Sequence, residues 1–273
     1  MKTTLIGFGK CGEDVLRKCS DLTDTRFVLF SDAEAPNFVY QPQSPGELVI
    51  TVSYARRTEV VQATGIRRDY NVNVSLVDIG LRASQNYNGQ LNVEFVILPF
   101  KHIDMLSELH NMHADRNVVF VPEMGGEENS EEKYLSSCVS HIANDIHTLK
   151  CMADCAGYDE ASLNAEDIHR AFGYGDDTYN IINSNVNAVL GDCIDDMNNY
   201  LGRYLRICPK RIVCQIITSK PIEQYQLDKL KLKYEDVRIG ITKATEASKS
   251  VKLSYIAAFN WSSSDCILPF FYY

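Results

Sequence analysis

Gly7, Gly9 and Gly12 have the spacing that lets backbone close around a phosphate, and anion binding is the first chemistry this chain suggests. They follow the β-rich run Thr3-Thr4-Leu5-Ile6. They precede a stretch in which Cys11, Val15, Leu16, Cys19 and Leu22 recur at near-helical spacing. A strand, a glycine turn and a helix in that order aim backbone amides at an anion, because the first amides of a helix have no partner within it. Lys10, inside the turn, either adds a direct charge to a phosphate or stands as a solvated surface lysine. Asp32 lies about 20 residues on, after Arg26-Phe27-Val28-Leu29-Phe30, where dinucleotide-binding units keep an acid for the ribose. Gly7, Gly9, Gly12 and Asp32 together predict a Rossmann-like unit, with NAD as one ligand. No histidine–acid or lysine arrangement reads as a hydride-transfer site, so an oxidoreductase reading rests on the turn and Asp32 alone.

Other residues offer less. Net charge is −9, from 27 basic and 36 acidic residues, which argues against broad nucleic-acid binding. Arg56, Arg57, Arg67 and Arg68 form a local basic cluster that reads first as a solvated helix face. The nine cysteines read as reduced, mostly buried thiols, because the N-terminus enters a strand and not a signal peptide. Cys151 and Cys155 lie one helical turn apart, and His110 and His113 form a second close pair. Neither pair sits in a recognised zinc framework, so no metal is predicted. No run of apolar residues is long enough to span a membrane. The expected location is the cytoplasm.

The elements that must position these residues fall into two groups. Runs at 26–30, 47–52, 72–79, 92–98 and 117–121 are rich in Val, Ile and Phe on both parities, the pattern of strands buried on both faces of a parallel sheet. Helical stretches are predicted at 58–69, from the Pro99-Phe100 pair through His113, at 130–152 and at 164–172. Another is predicted after Tyr174-Gly175-Asp176-Asp177, reaching Tyr204. Then a strand at 211–218, a helix at 222–232 and strands at 237–242 and 251–259 predict a smaller α+β unit with an antiparallel component. The predicted organisation is an α/β nucleotide-binding domain with a central helix at 1–162, an α+β domain at 163–260, and an aromatic tail at 261–273. That tail carries Trp261 and Phe270-Phe271-Tyr272-Tyr273 and is either a docked segment or a partner-binding peptide.

Several segments, in order, resemble the FtsZ/tubulin family of GTP-dependent cytoskeletal proteins. LIGFGKCGEDVL is similar to that family's first phosphate loop, and RFVLFSDAEA to its second strand and loop. NVEFVILPF and NVVFVPE resemble the next core strands, and Ala143-Asn144-Asp145 falls where the central helix carries such a triplet. KRIVCQIITSKPIEQYQLDKL and DVRIGITKATEASKSVKLSYIAAF resemble the C-terminal strands and helix. The resemblance covers most of residues 1–260.

It implies a Rossmann-like nucleotide-binding domain, a central helix and a smaller α+β domain. It implies GTP or GDP, with Mg, as ligand and head-to-tail self-association into filaments. Gly7, Gly9 and Gly12 would face the α- and β-phosphates. Asn144 or Asp145 would hydrogen-bond the guanine edge, although the stacking position upstream holds Ser140 or a neighbour. Asp167 would position the attacking water at a subunit junction, with Asn164 where a second acid is expected and Glu166 the nearest other carboxylate; an Asn orients a water but cannot take its proton. The family's glycine- and threonine-rich signature loop would follow the strand ending at Val52. Here that place reads Ser53-Tyr54-Ala55-Arg56-Arg57-Thr58, with no glycine. Gly125-Gly126 is not that loop displaced, because its distance to Asn164 fits a later one. Hydrolysis is therefore expected to be weakened or lost. The alternative is a degenerate, non-hydrolysing relative that binds an FtsZ/tubulin-like or adaptor partner through the C-terminal tail.

Overall fold

Leu5 and Ile6, and again Leu48, Val49 and Ile50, are fully buried although they are neighbours along their strands. Successive strand residues point to opposite faces, so both faces of this sheet are covered. In the computed structural model, which describes residues 2–30, 47–54, 91–97, 118–121, 130–155, 163–172, 178–204, 209–245 and 248–260, these residues belong to one parallel sheet. Its strands are β1 (Thr3–Phe8), β2 (Thr25–Phe30), β3 (Leu48–Tyr54), β4 (Leu91–Ile97) and β5 (Val118–Val121), in the order β2-β1-β3-β4-β5. All four pairings are parallel, with Ile6 opposite both Val28 and Thr51, and Val52 opposite Phe95. Helix α1 (Gly9–Lys18) connects β1 to β2 and packs on β1, β3 and β2. It buries Cys11, Val15 and Leu16. Its exposed face carries ion pairs of Lys10 and Arg17 with Glu13 and Asp14.

The chain divides into two compact units, residues Met1–His147 and Thr148–Tyr273. The division falls within α2 (Glu131–Cys155). Tyr134, Cys138, Ile142, Ile146, Leu149 and Ala153 form the buried stripe of this helix, at the spacing of three or four that one helix face requires. No described helix is long and apolar enough to cross a membrane.

The second unit holds a mixed sheet in the order β6-β9-β7-β8. Its elements are α3 (Ala165–Ala171), β6 (Thr178–Asn187), α4 (Leu190–Tyr204), β7 (Arg211–Thr218), α5 (Gln224–Lys233), β8 (Val237–Lys243) and β9 (Val251–Asn260). β9 runs antiparallel to both β6 and β7, and β7 runs parallel to β8. One face is apolar: Ile212, Cys214 and Ile216 of β7 and Leu253, Tyr255, Ala257 and Phe259 of β9 alternate into a core. Ile194, Met197 and Leu201 of α4 and Leu230 of α5 close that core.

Two expectations need correction. The segment after residue 177 is not all helix. Thr178–Asn187 is strand β6, and the helix begins only at Leu190. Its four asparagines favour neither helix nor strand, and ladder pairing to β9 along its length decides the outcome. The last two strands are not neighbours. β8 lies beside β7, with α5 as the crossover that a parallel pair needs, and β9 inserts between β6 and β7. The segments predicted at 58–69 and 72–79, from Pro99 through His113, and at 261–273 lie outside the described residues, as do Gly125 and Gly126.

Candidate phosphate-binding turn and capped acid

β1 has β2 on one side and β3 on the other, and chain order reverses between them. In a doubly wound sheet of order 2-1-3-4-5 this reversal opens a crevice beyond the carboxyl ends of the first and third strands, where ligands bind. Phe8 and Tyr54 end those strands, and the glycine turn stands at the first.

The three glycines do different work. Gly9 takes φ 60°, the left-handed region open to glycine, at the joint between β1 and α1. A Cβ on Gly12 would lie 2.6 Å from both C and Cα of Gly7, and one on Gly7 would lie 2.7 Å from C of Gly12. Gly7 and Gly12 therefore let the first turn of α1 lie backbone to backbone on β1. Gly7 and Gly12 thus pack helix on strand, and Gly9 turns the chain between them. No described side chain caps α1: Phe8 is its N-cap residue and makes no side-chain hydrogen bond, and no acid occupies the first turn. Phe8 and Phe30 stack with ring centroids 5.7 Å apart, giving the turn an apolar flank.

Lys10 points along the helix surface. Its ammonium lies 3.0 Å from Asp14 and 3.2 Å from Glu13, and those acids, Asp14 first, hold its pKa above the ordinary lysine value. Exposed pairs of this kind are weak and exchangeable. At the end of β3, Ser53 is buried, and the Tyr54 hydroxyl donates to Glu131 Oε1 of α2 at 2.7 Å. Sequence reasoning missed this link because its partners lie far apart in the chain. Asp32 and Arg56, Arg57, Arg67 and Arg68 lie outside the described residues, as do His110 and His113.

Asn144 and Asp145 do not share an environment. Asn144 is exposed, whereas Asp145 is buried with its carboxylate 3.5 Å from His141 Nε2. Burial lowers the His141 pKa below its usual 6.5, so the attraction of Asp145 does not keep the imidazole charged at pH 7. Between that lowered folded value and 6.5, the unfolded chain binds more protons than the folded one, so stability falls as pH drops through this window. His141→Gln should flatten that acid-side loss, read as urea midpoints between pH 7.5 and pH 5.

Asn164 and Asp167 are brought together. The backbone N–H of Asp167 donates to Asn164 Oδ1 at 2.8 Å, and the N–H of Asn164 donates to Asp167 Oδ2 at 3.1 Å. This reciprocal pair is a capping box at the start of α3. Arg238 Nε lies 3.2 Å from Asp167 Oδ1. Both carboxylate oxygens of Asp167 are therefore engaged within the chain, while Glu166 is exposed. Among the described residues, no three acidic, histidine or cysteine side chains cluster as a metal site.

No protein-family model matches the chain, and no curated protein matches it in sequence. Solved structures match it along nearly its whole length. A GTPγS-bound protofilament of CetZ2 from Haloferax volcanii is 12% identical, covering 97% of this chain and 95% of its own, with a TM-score of 0.57. An empty FtsZ dimer from M. jannaschii is 11% identical, covering 94% and 88%, with a TM-score of 0.56. TubZ of Bacillus thuringiensis serovar israelensis, in GDP-form protofilaments, is 10% identical, covering 94% and 85%, with a TM-score of 0.55. The chain has an FtsZ/tubulin-like fold. At these identities the match concerns the fold. Within this FtsZ/tubulin-like fold, the glycine turn occupies the crevice position and the capping box of Asn164 and Asp167 opens α3.

Proposed function

We propose that this chain is a cytoplasmic, cytoskeletal protein that binds a guanine nucleotide at the Gly7–Gly12 turn and assembles head to tail into filaments. The observation that carries this reading is the glycine turn that starts α1, entered through Gly9 at φ 60°, at the carboxyl end of the strand where the sheet order reverses. Backbone amides there suit the α- and β-phosphates of GTP or GDP. Lys10 would add its charge by leaving Asp14 and Glu13, and a Mg ion would accompany the phosphates. The matched GTPγS-bound CetZ2 protofilament and GDP-form TubZ protofilaments support a guanine nucleotide as ligand and assembly into filaments.

Hydrolysis is the weaker half of the function. The oxygens of Asp167 are shared with the α3 cap and Arg238, and the Ser53–Thr58 segment holds no glycine. This favours a second reading, a non-hydrolysing structural or regulatory relative that binds a tubulin-like or adaptor partner through residues 261–273. The NAD alternative rests on the glycine turn and Asp32 alone.

A thermal-shift panel separates these readings. GTP or GDP at about 100 times its dissociation constant should stabilise the chain by about 2.7 kcal/mol. NAD and NADP should give no shift. Sedimentation and light scattering should then show polymer with GTP, with little phosphate released. A response to NAD alone would sink the cytoskeletal reading. Silence toward every nucleotide, with no polymer, would leave the degenerate relative.

A further inference from the structure

Tyr225 and Leu232 of α5 turn apolar side chains to water, 64% and 88% exposed. They stand two helical turns apart, so they share one line along the helix. The contacts of α5 with the core come from Leu227 and Leu230, on its opposite side. Tyr225 and Leu232 thus mark the outermost line of α5, where a surface helix ordinarily carries polar residues.

α4 lies beside α5 and runs parallel to it. A Cβ on Gly191 would lie 3.9 Å from Gln226 Nε2, Asp195 pairs with Lys229 at 2.8 Å, and the Tyr234 hydroxyl donates to Asn198 Oδ1. These contacts advance along both segments in the same direction. α4 turns Leu190, Ile194, Met197 and Leu201 inward. It presents Asp192, Asp195 and Asp196 to solvent from its first two turns. α5 presents Lys229, Lys231 and Lys233 from its last two turns. The outer face of the pair is therefore acidic at the start of one helix and basic at the end of its neighbour. Charges so placed complement the dipole of each helix, but dipoles give no reason for Tyr225 and Leu232.

We propose that the α4–α5 face docks on the same face of a second copy, about a two-fold axis perpendicular to it. That rotation exchanges the two helices and reverses their ends. It carries the aspartates at the start of one α4 over the lysines at the end of the other α5, and the symmetry repeats the match. Each α4 then lies along the Tyr225–Leu232 line of the other copy and shields both side chains from water. α4 has 15 residues, so the face is about 22 Å long, and packed helices stand about 8–10 Å apart. Such a face is smaller than the roughly 800 Å² per partner of a stable complex, which makes the association weak and transient. This contact closes on itself, whereas head-to-tail assembly does not. It needs no nucleotide and does not depend on the guanine-nucleotide reading.

Sedimentation equilibrium of the full chain, without nucleotide and over a concentration series reaching the millimolar range, should show monomer and dimer. The dimer should weaken as salt rises toward about 1 M, where charges are screened beyond about 3 Å. Leu232→Ser should weaken it about tenfold or more, through the lost burial of leucine. The deciding measurement uses two chains, one carrying Asp192→Lys with Asp195→Lys, the other Lys231→Glu with Lys233→Glu. Alone, each chain sets like charges against each other and should stay monomeric. Mixed in equal amounts, they should form a heterodimer, because each altered helix meets its complement. Circular dichroism checks that each chain is folded. A wild-type chain that stays monomeric throughout the series overturns the proposal, as does a dimer that both charge variants retain. Two folded, monomeric variants whose mixture also stays monomeric overturn it as well.

Discussion

Gly12→Ala should lower stability by about 1–3 kcal/mol, the usual cost of forcing a methyl group into a packed interior, and should abolish stabilisation by GTP. The added Cβ would stand 2.6 Å from C and Cα of Gly7 and 3.4 Å from the Val52 carbonyl oxygen. These are backbone atoms, so no side chain can rotate away. Relief requires α1 to lift from β1, and that motion carries the Gly9 turn and its amides off the carboxyl end of the strand. Binding and stability should therefore fail together. Gly202→Ala is the matched control: it lies exposed in α4, and a Cβ there meets nothing within 4 Å. That change should stabilise by about 0.5–1 kcal/mol, through the helix propensity that glycine lacks. Urea midpoints read the stability of both variants, and thermal shift with GTP reads the binding. A Gly12→Ala chain as stable and as GTP-responsive as wild type would show that the helix does not need this approach.

The chain made its strands legible wherever burial was symmetrical. Leu48 to Val52 is apolar apart from Thr51, and only a strand covered on both faces uses such a run, so the parallel sheet could be read from composition along the strand. β6 was opaque because Asn180, Asn183, Asn185 and Asn187 erase any apolar alternation, and its identity depends on β9, more than 60 residues away. The same dependence hid the partner of β8. A polar turn between two strands suggests neighbours, but the parallel alignment on β7 leaves the middle of the sheet to β9. In the candidate site, the glycines were readable by spacing and their division of labour was not. Gly7 and Gly12 meet each other, and Gly9 turns the chain, only through the packing of α1 on β1. Asn164 and Asp167 were readable as a pair three residues apart. Arg238, which occupies the second oxygen of Asp167, comes from a strand whose register no local pattern encodes.

Gly240→Ala should cost about 1–3 kcal/mol by overpacking, and this loss should be coupled to the start of α3. A Cβ on Gly240 would lie 2.6 Å from Leu163 N, Leu163 Cγ and Gln215 Oε1. The Leu163 side chain can turn, but its backbone nitrogen cannot yield alone, and Leu163 immediately precedes Asn164. Displacing it stretches the Asn164 N–H bond to Asp167 Oδ2. Arg238 stands two residues before Gly240, on the same face of β8, and holds the other oxygen of Asp167. One methyl group thus bears on the Asn164 side of that carboxylate's contacts. Asn164→Ala alone should cost about 1 kcal/mol, as loss of an N-cap side chain does. In the double variant the cap is already gone, so the combined loss should fall short of the sum of the two single losses, as for sites that share a partner. Urea unfolding of the four chains measures that difference. Strict additivity would mean that the cap survives the displacement of Leu163 and that Gly240 serves sheet packing alone. A shortfall would tie the placement of Asp167 to a residue whose only contribution is the absence of a side chain.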